Sequence, residues 1–494
     1  MAVVSLRNKV LHGAAWSLVT KLSMKLFSFF VTLVLARLLT PSDYGTISLL
    51  TIFISIASTF AESGFGRALI QKKEIRSVDY NTVFYTSLVV SGVVYAILFG
   101  TASSIARFYD NESLIPIMRV LSLSIVFNAI NGVQSAELQR SLRFKESFKI
   151  TMLSSVGSAI VGIAFAFAGY GPWAIVWSQM ASGIATTIGY WMFIAWRPAL
   201  EFSFVSLKAT WGYGWKLTLS GLLDTASRNL SSLFIGKLYT KEDLAFVDKG
   251  KSIPYLAMDI VNAAFGSVMF PSLAKLQDDL LRFRNAMRKM MRWSTFVVFP
   301  VMFGVACCAE QLVLLMFGDQ WVPIVPYVQI ACLEFASWPL ACINLSAVNA
   351  IGRSDLYLKM EILKKVVGLA LLFATIRLGV FWFVFISAVV SVPICFVINA
   401  WPCHKIVGYR LVMQLADVMP TTVCCLIMSV AVMGLNLVVR VKSPWMLLAQ
   451  VPIGVLAYWA ACRLVGLQAM GEIYDLIACK LPAPCQKFRR LFCR

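Results

Sequence analysis

Charge is scarce in this chain, histidine is nearly missing and no catalytic signature occurs, and each shortage removes a class of function. Only 14% of the 494 residues are charged against 59% hydrophobic, with a mean hydropathy of +0.77. Soluble domains carry roughly a quarter charged residues and about half apolar ones, so an ordinary globular protein is excluded. The two histidines, His12 and His404, lie far apart and make no proton relay. Twelve cysteines are scattered without metal-ligand spacing and without an oxidised framework. They read as small buried hydrophobes or reduced thiols, and neither a metal nor a cofactor is expected. No Gly-rich phosphate loop, zinc motif or nucleophile elbow is present, which argues against an ATP-driven pump or a hydrolase. The first apolar segment is interrupted by Lys21 and Lys25 and lacks a small-residue cleavage site, so it reads as a membrane span rather than a removable signal. The short alternating segments of a barrel are also missing; Val89 to Leu98 is one continuous apolar run.

What is present is a succession of apolar stretches of about 20 residues, each long enough to cross a bilayer as a helix. They fall near 11–36, 44–68, 80–106, 114–138, 148–168, 172–196, 210–236, 244–270, 293–316, 322–349, 357–376, 380–401, 415–439 and 444–466. The expected fold is therefore an all-α polytopic membrane protein of about fourteen transmembrane helices. The net charge of +20 does not point to nucleic acid, because no base-reading or stacking motif accompanies it. Lys and Arg instead gather in alternate loops. Arg67 to Lys73, Arg140 to Lys145 and Arg282 to Arg292 are basic, whereas Gly169 to Pro172 and Phe317 to Trp321 contain no base. This is the positive-inside asymmetry, and it puts both termini in the cytoplasm. The segment Leu273 to Trp293 has helical apolar spacing and a basic face, as does a helix lying along an anionic inner leaflet. The tail Lys487-Phe488-Arg489-Arg490 reads alike, so membrane lipids are expected partners.

Shifted by 200 residues, the chain partly overlies itself. Leu33-Val34-Leu35-Ala36-Arg37-Leu38-Leu39-Thr40-Pro41-Ser42-Asp43 lies over Leu233-Phe234-Ile235-Gly236-Lys237-Leu238-Tyr239-Thr240-Lys241-Glu242-Asp243, and Phe65-Gly66 lies over Phe265-Gly266. Internal duplication in a hydrophobic chain is how many secondary transporters are built. It divides the sequence into an N-terminal six-helix lobe (1–204), a C-terminal six-helix lobe (205–410), two additional transmembrane helices (411–470) and a basic cytoplasmic tail (471–494). An even number of spans per repeat makes the lobes pseudo-symmetric about the membrane normal. No loop exceeds about 25 residues, which leaves no space for a soluble catalytic domain of the usual 50 residues or more.

Ionisable groups within a span cost about 2.5–3.5 kcal/mol each on insertion scales and face a cavity or a partner. Ser17, Lys21, Lys25, Ser28 and Thr32 share one helix face, as do Lys216, Ser220, Asp224, Arg228 and Ser231. A third face carries Asp248, Lys251, Tyr255, Asp259, Asn262 and Gly266; its counterpart 200 residues earlier is Ser48, Thr51, Ser55, Thr59, Glu62 and Gly66. Matching polar faces imply a wet cavity shared by the lobes. Lys21 and Lys25, one turn apart, favour an anionic ligand such as phosphate, or they snorkel to the inner interface. Lys216, Arg228 and Lys251 are further candidate anion contacts. Asp224 and Arg228 are spaced either for an ion pair or for substrate contact. Glu62, Asp224, Asp248 and Asp259 either carry a coupling ion or line the cavity. Pro254, in mid-span, marks either a bending point or a static kink.

The run Leu35-Ala36-Arg37-Leu38-Leu39-Thr40-Pro41-Ser42-Asp43-Tyr44-Gly45 resembles the first extracellular turn of bacterial polysaccharide transporters, the flippases of lipid-linked oligosaccharides. They belong to the multidrug, oligosaccharidyl-lipid and polysaccharide exporter superfamily. Tyr213-Gly214-Trp215-Lys216, Val268-Met269-Phe270-Pro271-Ser272-Leu273 and Phe317-Gly318-Asp319-Gln320-Trp321 are similar to that family too. One departure is Ala245-Phe246-Val247-Asp248-Lys249-Gly250, where the family commonly carries Gly-Xaa-Tyr. The resemblance implies a transporter rather than an enzyme, moving an undecaprenyl-diphosphate-linked oligosaccharide across the bacterial inner membrane by alternating access. It implies cavity cations holding the diphosphate, and a polysaccharide polymerase complex as a candidate partner. A multidrug antiporter of the same superfamily would want a net acidic cavity, and a membrane glycosyltransferase or polymerase would need a large catalytic loop. The double substitution Lys21→Ala with Lys25→Ala is expected to abolish polysaccharide export at unchanged protein level. Export assayed in a complemented deletion strain checks this, and full export would remove both lysines from the site.

Overall fold

The computed structural model describes residues 23–472 except 26, 63–64, 73–74, 142 and 440–442, so Lys21 and the basic tail lie outside the described residues. The described chain is all-α. Its first part contains α1 (27–38), α2 (Pro41–Glu62), α3 (Phe65–Gln71), α4 (Ser77–Phe108), α5 (Leu114–Leu121), α6 (Leu123–Arg140), α7 (Phe144–Phe167), α8 (Trp173–Phe193) and α9 (Phe204–Leu238). There follow α10 (Lys241–Ala274), α11 (Leu280–Cys307), α12 (Ala309–Met316), α13 (Val325–Ala336), α14 (Trp338–Ala350), α15 (Ser354–Thr375), α16 (Val380–Val407), α17 (Leu411–Val439) and α18 (Leu447–Val465). From residue 44 onward a helix stands at every position where a span is expected. Nine segments among the described residues are long and apolar enough to cross a membrane, which makes this a multi-pass membrane protein. The helices α8, α9, α10 and α15 stand outside that set, because serine, threonine and charged residues dilute their apolar content.

The duplication is visible in how two helices start. Thr40 Oγ1 donates to Asp43 Oδ2 at 2.8 Å, the Thr40 amide donates to the same oxygen at 2.9 Å, and the Asp43 amide donates back to Thr40 Oγ1 at 3.3 Å. Two hundred residues on, Thr240 and Asp243 repeat the three bonds at 2.7, 3.2 and 3.1 Å. Each is a reciprocal cap that satisfies amides left without intrahelical partners, at the starts of α2 and α10. The two starts meet at Gly45, where a Cβ would come within 2.1 Å of the Lys241 carbonyl oxygen. A further echo is a break in corresponding spans, at Ser122 between α5 and α6 and at Ser337 between α13 and α14. In both, the hydroxyl bonds back to a carbonyl of the preceding turn at 2.7 Å.

By its contacts the chain forms two compact units, residues 1–245 and 246–494. The boundary expected at 204/205 falls at the start of α9, and that helix packs on α2, α3 and α4. Two contacts tie it there: Ser206 Oγ donates to Asp79 Oδ1 at 2.5 Å, and the Thr59 and Thr225 hydroxyls lie 3.1 Å apart.

In the second unit, α17 and α18 dock on α11. The segment Leu273 to Trp293, expected as a helix lying on the leaflet, instead includes the start of α11, which runs unbroken from an Asp279 cap into the membrane-crossing length. Its apolar phase continues through Phe283, Met287, Met291, Thr295, Val298 and Met302, all buried. Its bases are engaged by the C-terminal helices. Arg288 grips Asp417 with two bonds of 2.8 Å, Arg292 stands 3.9 Å from the same carboxylate, and Lys289 lies 3.5 Å from Glu472. Tyr409, between α16 and α17, donates to Asp417 at 2.8 Å. Burial and the adjacent carboxylate push its phenol up, so it stays a donor.

Asp417 is 7% exposed, and deleting it strands a guanidinium and a phenol. Asp417→Ala is expected to destabilise the second unit by about 3–5 kcal/mol. Thermal unfolding of the purified protein in detergent checks this, and an unchanged midpoint would show that the cluster does not hold α17 in place.

Candidate functional site

A cavity of about 610 Å³ lies within the first unit, inside the range of about 300–1,000 Å³ typical of small-molecule sites. The sequence builds it from polar positions on helices that otherwise bury apolar side chains. On α6, Asn128, Asn131, Ser135 and Gln139 line it at spacings of three, four and four, one helical face. Helix α2 adds Ser58, Thr59 and Glu62; α8 adds Thr186 and Tyr190 one turn apart; α9 adds Thr218. Gly66 and Gly132 also line it, and a Cβ at Gly132 would meet nothing within 4 Å.

Several of these hydroxyls spend their protons on the backbone. Thr59 Oγ1 donates to the Ser55 carbonyl at 2.8 Å and Thr218 Oγ1 to the Gly214 carbonyl at 3.0 Å. Their oxygens keep lone pairs as acceptors. Gln139 Nε2 donates to Ser135 Oγ at 3.2 Å. Asn131 differs: it is 7% exposed, and its Oδ1 has no hydrogen-bond partner among the described residues. A buried carbonyl left unpaired costs about 1–3 kcal/mol, a cost this oxygen carries behind the cavity wall rather than on it. The one carboxylate among the described lining residues is Glu62.

A polar network stands at the end of the cavity marked by Ile70 and Gln139. Asp79, buried, pairs with Lys72 at 2.7 Å and accepts from Ser206 and from the Arg76 amide. Arg140, next to Gln139, donates to the Lys72 carbonyl and, at 3.4 Å, to those of Leu69 and Ile70. Asn81, fully buried, joins Glu201 and the Ala199 amide at 3.2 Å each. These bonds fasten α3, α6 and the segment leading into α9 to the start of α4.

The expected site residues are distributed as follows. Glu62, Thr59 and Gly66 of the α2–α3 polar face do line the cavity. Asp224 and Arg228 make the ion pair their spacing allows, at 2.8 Å with both side chains at least half exposed. Their stripe lies one residue around α9 from the face carrying Thr218, Gly221 and Thr225. Lys25 is partly buried and is not among the lining residues. Lys21 is outside the described residues, as is the side chain of Lys216. Lys251, Asp248 and Asp259 are partly buried on α10, in the second unit. The α6 stripe, Asn128, Asn131, Ser135 and Gln139, is not among the expected site residues, all of which are ionisable. Its signal was there, polar amides and hydroxyls at helical spacing, but all neutral. No cluster of three metal-ligating side chains occurs among the described residues.

Known proteins were compared with this chain. The family of polysaccharide biosynthesis proteins matches residues 34–326. The chain is 26% identical over 375 residues to the lipopolysaccharide biosynthesis protein WzxC of Escherichia coli (strain K12), covering 73% of this chain and 74% of that one. It is 23% identical over 441 residues to the teichuronic acid biosynthesis protein TuaB of Bacillus subtilis (strain 168), covering 88% and 90%. In fold it is similar to the lipid II flippase MurJ in an inward closed conformation. That match has a TM-score of 0.72 at 13% identity and covers 93% of this chain and 99% of that one.

Two buried asparagines differ in whether their side-chain oxygens are paired. Asn131→Leu removes an unpaired acceptor and is expected to leave stability nearly unchanged, whereas Asn81→Leu breaks made bonds and is expected to cost about 1–3 kcal/mol. Unfolding midpoints of both variants check the contrast, and equal losses would contradict it.

Proposed function

The chain belongs to the polysaccharide biosynthesis protein family, and from that premise we propose that it is a flippase. It carries a lipid-linked oligosaccharide, with an undecaprenyl-diphosphate anchor, from the inner to the outer leaflet of a bacterial inner membrane for surface polysaccharide assembly. The carrying observation is the 610 Å³ cavity, its wall part polar and part apolar, among helices of membrane-crossing length. Hydrocarbon penalises exposed polar groups, so a bundle without cargo would pack them against each other or dispense with them. A hollow with amides and hydroxyls on its wall suits a polar headgroup whose lipid tail stays in the bilayer. Relatives named for lipopolysaccharide and teichuronic acid biosynthesis support the same direction, and a lipid II flippase shares the fold.

The mechanism we propose is alternating access, with both termini cytoplasmic and a polysaccharide polymerase complex receiving the cargo. Lys21 and Lys25 contact the diphosphate as mobile point charges. Glu62, in the cavity wall, is our candidate for a coupling carboxylate. Arg228 is paired with Asp224 on the same helix.

Deleting the gene is expected to stop surface polysaccharide and to leave lipid-linked oligosaccharide accumulated at the inner leaflet, with both reversed by the intact gene. Mass spectrometry of extracted lipids, with surface staining of cells, provides the readout. Loss of the intermediate itself would mark a glycosyltransferase, and normal polysaccharide with altered drug sensitivity would mark a drug antiporter.

A further inference from the structure

We propose that the second unit holds an anionic glycerophospholipid, its phosphate gripped by Arg284, Lys405 and Arg410 where α11, α16 and α17 meet one surface of the bilayer. This lipid is a resident partner of the protein, whatever cargo is carried.

On α11 the bases Arg284, Arg288 and Arg292 follow one another at a spacing of four, which puts them on one face of the helix. Asp417 takes two of them, Arg288 at 2.8 Å and Arg292 at 3.9 Å, and Asp279 takes Arg282 at 3.2 Å. Arg284, one turn nearer the helix start, pairs with no carboxylate among the described residues. It lies against α16 instead: a Cβ on Gly408, the left-handed cap of that helix at φ +71°, would meet Arg284 Nη1 at 3.6 Å. Gly408 stands between Lys405 and Arg410, both exposed and neither paired with a carboxylate among the described residues. Lys405 Nζ sits 4.3 Å from the centroid of the Trp401 ring, one turn earlier on the same face of α16. Tyr409, bonded at 2.8 Å to the carboxylate that Arg288 grips, fixes this corner to α11.

Three cations without acids repel one another and are stabilised by an anion that offers several oxygens. Their depth selects a lipid over a dissolved ion. The membrane-crossing lengths begin at Leu280 on α11, end at Val407 on α16 and begin again at Leu411 on α17, so all three bases sit within about a turn of one boundary. Beside them the chain exposes apolar surface: Trp401 is 54% exposed, Val412 74% and Leu415 46%. Tryptophan at that level is a headgroup-depth anchor, and Val412 and Leu415 share a face of α17 that acyl chains can cover. A dissolved phosphate leaves that surface bare, whereas a glycerophospholipid satisfies the charge and the apolar face together. Bound there, the lipid bridges α11, α16 and α17, the helices that the Asp417 cluster joins.

The test uses the full-length protein, purified in a neutral detergent and stripped of native lipid. The probes are phosphatidylglycerol, phosphatidylcholine with the same acyl chains, and inorganic phosphate. Phosphatidylglycerol is expected to raise the thermal midpoint by at least about 4 °C and to stay bound in native mass spectra, while the other two shift it by under about 1 °C. The triple variant Arg284→Gln, Lys405→Gln and Arg410→Gln should unfold near the wild-type temperature in phosphatidylcholine. It should lose the phosphatidylglycerol shift and retain at least about tenfold less of that lipid. Removing the same charge elsewhere, by Lys145→Gln, Lys149→Gln and Lys208→Gln, all exposed on the first unit, should leave retention within about twofold of wild type. Should the cluster triple unfold early, Arg284→Gln alone decides, with an expected loss of at least about threefold in retained lipid. A wild-type shift in the cluster triple, an unchanged Arg284→Gln, an equal loss in the first-unit triple, the same shift from inorganic phosphate, or no lipid retained by the wild type would each overturn the proposal.

Discussion

The constraint on which the structure turns is that hydrocarbon offers no hydrogen bonds, so each polar atom at membrane depth must find protein, or a hollow that holds water or cargo. Most of the chain meets it locally. Thr51, Thr59, Thr86, Thr101 and Ser122 all return their hydroxyl protons to carbonyls one turn back. Longer-range polar groups meet it in dense knots, Asp79 with Lys72 and Ser206 in the first unit and Asp417 with Arg288 and Tyr409 in the second. On one face of α6, a row of amides and hydroxyls lines a cavity.

The knots also explain how long helices are held in register. Coupling through a charge with several fixed donors is costly to break, because each survivor is left desolvated. The Asp79 group fastens the segment entering α9 to the start of α4. The Asp417 group fastens the added helix α17 to α11, so a pair of helices with no counterpart in the repeat is integrated through the basic residues of its neighbour.

Much of this was legible in the residues. The helix positions from residue 44 onward, the all-α class and the duplication followed from apolar length and a constant shift, and the paired Thr-Asp caps gave the repeat a structural cause. The ion pair Asp224–Arg228 was legible because its partners are local. What escaped was non-local or neutral. Arg288 reads as a membrane-surface base until Asp417, far along the chain, supplies its partner. Asn131 reads as ordinary polarity in a span until the packing of α2, α4 and α8 leaves its carbonyl unmatched. The break at Ser122 carries no proline or glycine beside it, whereas Pro339, just inside the start of α14, was a local signal for the break at Ser337.

The account depends most on movement of a headgroup from one leaflet to the other. Proteoliposomes containing the purified protein, loaded in the outer leaflet with a fluorescent undecaprenyl-diphosphate oligosaccharide, test it directly through protection of the dye from a membrane-impermeant quencher. The account predicts a time-dependent protected fraction that rises with protein content. Protection no faster than in protein-free vesicles of the same lipid would contradict it.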